Sequence, residues 1–170
     1  MQSKLAQLKN LLAEVADLNG AASLLGWDQQ TYMPPGGAEG RGYQMATIES
    51  LAHSKFTSPE VGLLLEELGP YAESLDPDSN DACLVKVTAR HYAKQTRVPA
   101  EMVATFARTT AMAQQAWQQA RGENSFALFQ PHLEKVIELR QQYASLFQPF
   151  EHIYDPLLDD FEPGLKTTDV

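Results

Sequence analysis

Leu5-Ala6-Gln7-Leu8-Lys9-Asn10-Leu11-Leu12-Ala13-Glu14-Val15-Ala16-Asp17-Leu18 is the stretch that decides the fold class. Its apolar residues Leu5, Leu8, Leu12, Val15 and Leu18 recur every three or four positions, the spacing that lines one face of an α-helix. The pattern predicts a first helix from about Ser3 to Leu25, with Gly20 and Gly26 loosening its end. Thr31-Tyr32-Met33-Pro34-Pro35-Gly36-Gly37 must then break the helix, because proline fixes φ and lacks a donor while glycine opens positive φ.

The same reading continues along the chain. A second helix fits Ala38 to His53, with Tyr43, Thr47, Ile48 and Leu51 on its buried side. Ser58-Pro59-Glu60-Val61 combines a hydroxyl N-cap, a first-turn proline and an acid facing the helix dipole, so it opens a third helix that ends near Leu68-Gly69-Pro70. A fourth begins around Pro77 to Ser79 and runs through Leu84, Val87, His91 and Tyr92 to about Thr96. Pro99-Ala100-Glu101 opens a fifth, to about Arg121, and Asn124-Ser125 caps a sixth that passes Pro131 and reaches Phe147. No segment alternates apolar and polar residues over the length of a strand. The expected fold is all-α, about six helices in one domain over residues 1–170.

With 44% hydrophobic and 21% charged residues, the composition is that of a globular protein. The net charge of −9 is concentrated: Ser58 to Asp81 holds seven acids and no Lys or Arg, and Glu151 to Val170 holds six acids against one Lys. Such a field repels phosphate backbones, which argues against nucleic acid as a partner. No apolar run approaches the ~20 residues that span a bilayer, so no membrane partner is expected. The first ten residues lack the apolar core of a secretory signal, and Cys83 is the only cysteine; both point to the cytoplasm.

Chemistry-bearing patterns are sparse. None of His53, His91, His132 and His152 has another His or Cys three or four residues away, whereas a helix-borne zinc site needs two ligands on one face. His132 and Glu134 diverge by about 200° on a helix. Cys83 sits within a predicted helix and reads as core. Gly36-Gly37 lacks the Lys-Ser/Thr of a phosphate loop. No catalytic and no metal-binding residue is therefore expected. Two groups stay open. Asp159, Asp160 and Glu162 suit either a hard cation or the capping of backbone amides near Glu162-Pro163-Gly164. Trp27-Asp28 precedes a Pro-Gly loop and Arg41 follows it, so the acid and the guanidinium either pair across the loop, which would fix how helices one and two meet, or touch a substrate carboxylate.

Several ordered stretches resemble one family. They are Leu24-Leu25-Gly26-Trp27-Asp28-Gln29-Gln30-Thr31-Tyr32-Met33-Pro34-Pro35-Gly36-Gly37-Ala38 with Arg41, Gln44 and the run to His53; Arg97-Val98-Pro99; Trp117-x-x-Ala120-Arg121; Asn124-Ser125-Phe126-x-x-Phe129-x-Pro131-x-Leu133; and Tyr154-Asp155-Pro156-Leu157-Leu158-Asp159-Asp160-Phe161-Glu162-Pro163-Gly164. In this order they resemble the amino-terminal part of the carboxypeptidase Taq family of metallocarboxypeptidases. Ser125 stands where the family often has Asp, Phe161 where it often has Tyr, and Leu165-Lys166 where it often has Met-Thr.

The resemblance implies a mostly helical, zinc-dependent exopeptidase that releases C-terminal residues of peptides. In the family a His-Glu-x-x-His helix and a downstream Glu hold the metal, and neither can be placed on these 170 residues. What remains would wall a deep cleft, with Trp27, Asp28, Arg41, Asp159, Asp160 and Glu162 as structural or cleft-rim residues. The implied partner is a missing carboxy-terminal catalytic half, with peptide bound only in the full-length context. Phe147, Phe150, Ile153, Leu157 and Leu158 crowd the end of the chain, so an exposed apolar surface and a homo-oligomer are expected. The competing reading is a stand-alone helical module that binds a partner or itself. A hydrolase using some other site is disfavoured, because no nucleophile–base pair is visible.

Overall fold

A computed structural model describes residues 1–170. Six long helices follow one another, α1 (Gln2–Thr31), α2 (Ala38–Phe56), α3 (Pro59–Glu73), α4 (Asn80–Gln95), α5 (Ala100–Gly122) and α6 (Phe126–Ser145), with a short α7 (Asp155–Leu158). There is no strand, as the sequence predicts. No helix is long and apolar enough to cross a membrane. The chain divides into two compact units, Met1–Arg108 and Thr109–Val170, the division falling inside α5.

In the first unit, α1 serves two neighbours. Its amino-terminal part lays Leu5 and Leu8 against Val61, Leu64, Leu65 and Leu68 of α3 and Val85 of α4, and this cluster is the core. Leu8, Val61 and Leu68 are fully enclosed, each a burial of the kind that contributes about 1.5–3 kcal/mol. The later part of α1 packs along α2. Here the buried residues are small: Ala22 on α1, and Ala38, Gly42, Ala46 and Ala52 on α2. Small residues let two backbones approach closely, so this seam gains contact without large side chains.

That seam corrects the sequence reading of α2. Tyr43 and Leu51, expected inside, are exposed at 57% and 49%. The face that turns inward is the small-residue face, roughly opposite on the helix. Other boundaries move for identifiable reasons. α1 runs through Gly20 and Gly26 to Thr31, because an isolated glycine costs a helix only about 1 kcal/mol. α3 continues through Pro70 to Glu73, where the buried Ala72 and the half-buried Tyr71 join the core. Cys83 is exposed. The inward residues of α4 are Ala82, Val85 and Thr88, so position 83 lies about 160° from the centre of that face.

The Ser58 cap follows the sequence, and Ser79 supplies a second at the start of α4. Ser58 and Ser79 accept hydrogen bonds from the amides of Val61 and Ala82. The expected Asn124-Ser125 cap works differently. Asn124 adopts φ 49°, the left-handed region that Asn tolerates, and the amide of Ser125 closes on the carbonyl of Ala120 at 2.8 Å. Ser125 precedes α6 but its hydroxyl caps nothing.

In the second unit, Ala111, Ala113 and Ala120 of α5 and Leu139, Tyr143 and Ala144 of α6 are buried. Beyond α6 the chain passes a cis Gln148–Pro149 peptide and folds as α7 and turns, where Pro156 alone is buried. Phe147, Phe150, Leu157 and Leu158 are half-buried there, and Ile153 is exposed.

Candidate functional site

The turn between α1 and α2 is built tightly. The amides of Tyr32 and Met33 both donate to the carbonyl of Asp28, and Pro34 leads into a short 3₁₀ turn, Pro35–Gly37. A Cβ on Gly37 would lie 2.9 Å from Cγ of Met33, so a larger residue there would have to displace the Met33 side chain. Across it, Nη2 of Arg41 donates to Oδ2 of Asp28 at 2.5 Å. A second guanidinium nitrogen, Nη1, donates to the carbonyl of Leu25, and Nε donates to Oε1 of Gln44 at 3.2 Å. The pairing is therefore single-pronged on the carboxylate, and the fork divides between a side chain and the α1 backbone. Only 12% of the Arg41 side chain is exposed, against 35% for Asp28. This clamp joins the end of α1 to the start of α2. Trp27 is placed outward, 54% exposed, its ring edge-on to Tyr32 at 5.7 Å.

At the other end of the chain the three acids do not act together. Oδ1 of Asp159 accepts the amide of Gly164 at 2.9 Å, tying off the turn at Glu162-Pro163-Gly164. Oδ1 of Asp160 accepts the hydroxyl of Tyr143 at 2.8 Å. Burial, and then this carboxylate, push the Tyr143 hydroxyl well above its ordinary pKa. Glu162 is exposed. The neighbouring Asp155 is the more engaged acid: it accepts the amides of His152 and Thr167 and the Thr167 hydroxyl at 2.9, 2.8 and 2.6 Å.

A third place was not singled out by the sequence patterns. In the first unit, a groove of ≈ 670 Å³ opens beside α1, α2 and α4. Val15, Ala22, Gly26, Met45, Ala52, Phe56 and Val103 give it apolar walls, and Glu49, His53, His91, Asn19, Ser23 and Gln95 supply polar groups. His53 is fixed: its Nε2 lies 2.8 Å from the carbonyl of Val98, and since a carbonyl only accepts, Nε2 carries a proton. Glu49, one turn before His53 on α2, is half-buried, and burial holds its carboxyl above the usual range. Glu49 carries no signal in the sequence until the inward face of α2 is known. It falls in phase with Ala38, Gly42 and Ala46, an acid on the inward face of a helix.

No group of three or more His, Cys, Asp or Glu side chains comes together as ligands for a metal ion. His53 is committed to Val98 and His91 is exposed, so the residues present do not fit a catalytic metal.

Comparison with known proteins gives these features a family. The sequence profile of the carboxypeptidase Taq (M32) metallopeptidases matches residues 7–170. The thermostable carboxypeptidase 1 of Thermus thermophilus is 30% identical over 97% of this chain, and that of Pyrococcus furiosus 31% over 96%. The stretches matched are 35% and 33% of those proteins' own lengths, so the chain spans about a third of the relatives it matches. Among solved structures, the BsuCP crystal structure superposes on 98% of this chain with a TM-score of 0.91 at 26% identity, using 33% of that chain. An M32 carboxypeptidase from Deinococcus radiodurans does so over 98% with a TM-score of 0.71 at 34% identity, again using 33%. The chain belongs to the carboxypeptidase Taq (M32) family, and its match falls on the amino-terminal third of those enzymes.

Proposed function

We propose that, as a member of the carboxypeptidase Taq family, this chain forms the amino-terminal, cleft-walling part of a zinc-dependent carboxypeptidase that trims peptides from their C-termini. The observation that carries this reading is the extent of the match: nearly the whole chain corresponds to about a third of its relatives. The catalytic groups belong to the carboxy-terminal part that completes the enzyme. In this reading the chain supplies shape. The Asp28–Arg41 clamp holds the α1–α2 corner at the cleft, and Trp27, Asp159, Asp160 and Glu162 stand as rim residues without a chemical step of their own. The alternative of an independent helical module has no observation that favours it over this one.

The test has two halves. After dialysis, the isolated chain is expected to hold no stoichiometric zinc by elemental analysis and to release no residue from peptides. Mixed with the carboxy-terminal two thirds of the Bacillus subtilis carboxypeptidase 1, to which it is 29% identical, it is expected to form a complex with zinc-dependent activity. One tightly held zinc on the isolated chain with chelator-sensitive cleavage, or no complex with the complementary part, would overturn the reading.

A further inference from the structure

The groove beside α1, α2 and α4 has a chemical asymmetry. Its lining contains one carboxylate, Glu49, and no Lys or Arg. No side-chain hydrogen bond or ion pair engages that carboxylate. The surrounding walls, Val15, Ala22, Met45, Ala52, Phe56 and Val103, are apolar. An acid left half-desolvated and unpaired is unfavourable, and a cation that meets it relieves that cost.

The nearby polar groups do not provide one. Nε2 of His53 is spent on Val98, His91 is exposed at the edge of the lining, Asn19, Ser23 and Gln95 are neutral, and no Lys or Arg is present. A metal ion is a poor occupant, since Glu49, His53 and His91 do not converge as a ligand group. An aliphatic stem ending in a guanidinium or ammonium fits both halves of the lining. The stem would lie on the apolar wall and the head would reach Glu49.

We propose that this groove is the seat of an arginine or lysine side chain carried by the carboxy-terminal two thirds of the carboxypeptidase, and that Glu49 is the group that pairs with it. The proposal rests on the reading above, and adds to it the point of attachment. Two observations select this occupant: the charge complementarity of the lining, and the roughly two thirds of the relatives' length that the chain does not span. Glu49 is thus a docking residue for the rest of the enzyme, in a position where the α1–α2 seam would otherwise carry a small residue.

The experiment separates chemistry from source. The isolated chain is titrated with n-butylguanidinium and with neutral n-butylurea, observing the Met45 methyl and the His53 ring by NMR. The expected result is a saturable shift with butylguanidinium in the millimolar range, none with the urea, and loss of the shift in Glu49→Gln with unchanged helical content. Equal shifts for both probes, no shift, or a shift that survives Glu49→Gln overturns the pairing. Association with the carboxy-terminal two thirds of the Bacillus subtilis carboxypeptidase 1 is then compared for wild type and Glu49→Gln, and a roughly tenfold weaker complex is expected. Equal affinity overturns the inference and leaves the proposed function standing. Capture of butylguanidinium without any complex overturns the assigned source together with the proposed function.

Discussion

The first unit and the tail of the second hold their folds by different means. Between Met1 and Arg108, Leu8, Val61 and Leu68 are fully enclosed, and polar groups such as Arg41 clamp elements that apolar packing has already joined. Between Phe147 and Val170, Pro156 alone is buried, and the path is set by carboxylates receiving backbone amides: Asp155 from His152 and Thr167, Asp159 from Gly164. A core made of Leu and Val resists change in solvent conditions but not loss of volume. A tail made of charge-assisted hydrogen bonds does the reverse.

The largest expected effect breaks the core. Leu68→Ala removes a fully enclosed side chain between α1, α3 and α4, and is expected to cost about 2–5 kcal/mol, since a packed site cannot fully collapse around the cavity. Leu157→Ala, in the half-buried tail, is expected to cost about 1 kcal/mol or less. Urea unfolding of the two variants measures both, and similar losses would erase the distinction between the regions.

The intermediate case is the Arg41 clamp, where burial and polarity meet. Arg41→Ala is expected to destabilise by about 1–3 kcal/mol, because the carboxylate of Asp28 loses its donor and the carbonyl of Leu25 loses the guanidinium it holds beside its helical partner. Asp28→Ala should cost less, since its side chain is 35% exposed and Arg41 keeps Leu25. A double-mutant cycle gives the pair itself. A coupling of about 0.5–1 kcal/mol is expected, reduced by salt, and a value of zero would leave the clamp to the Leu25 contact alone.

The same contrast explains what could be read in advance. Large apolar residues at helical spacing predict α1, whose Leu5 and Leu8 enter the core, and the Ser58-Pro59-Glu60 start predicts α3; on α4 the inward residues are Ala82, Val85 and Thr88, and Val87 is exposed. The α1–α2 seam is illegible in the sequence for the converse reason. Tyr43 and Leu51 looked like the inward face, while Ala38, Gly42 and Ala46 carry no hydropathy signal strong enough to show that close backbone approach had chosen them. Cys83 reads as core by residue type, but the phase of α4 places it outside. Asp28 and Arg41 were legible because opposite charges flank a turn that must reverse the chain. Glu49 was not, since an acid on a helix reads as solvated until the small residues in phase with it are known to face inward. Asp155 was missed among the tail acids, because its partner Thr167 lies twelve residues away with no pattern linking them.

Asp155 also supplies the smallest and most specific prediction. The hydroxyl of Thr167 first, then the amides of Thr167 and His152, hold its carboxyl at about 2, below the ordinary 3.8. A folded-state value below the unfolded one means the contact contributes fully above about pH 4 and is lost as pH falls through about 2. The first unit, whose core is apolar, should show no local change tied to that step. The amide resonances of His152 and Thr167 are therefore expected to titrate together with a midpoint near 2, while those around Leu8 and Leu68 stay constant until general acid unfolding. Asp155→Asn, which keeps the shape but removes the charge, should abolish that titration. A midpoint at 3.8 in the wild-type chain would mean that Thr167 does not close on Asp155 in solution, and that the tail follows its path for some reason other than its carboxylates.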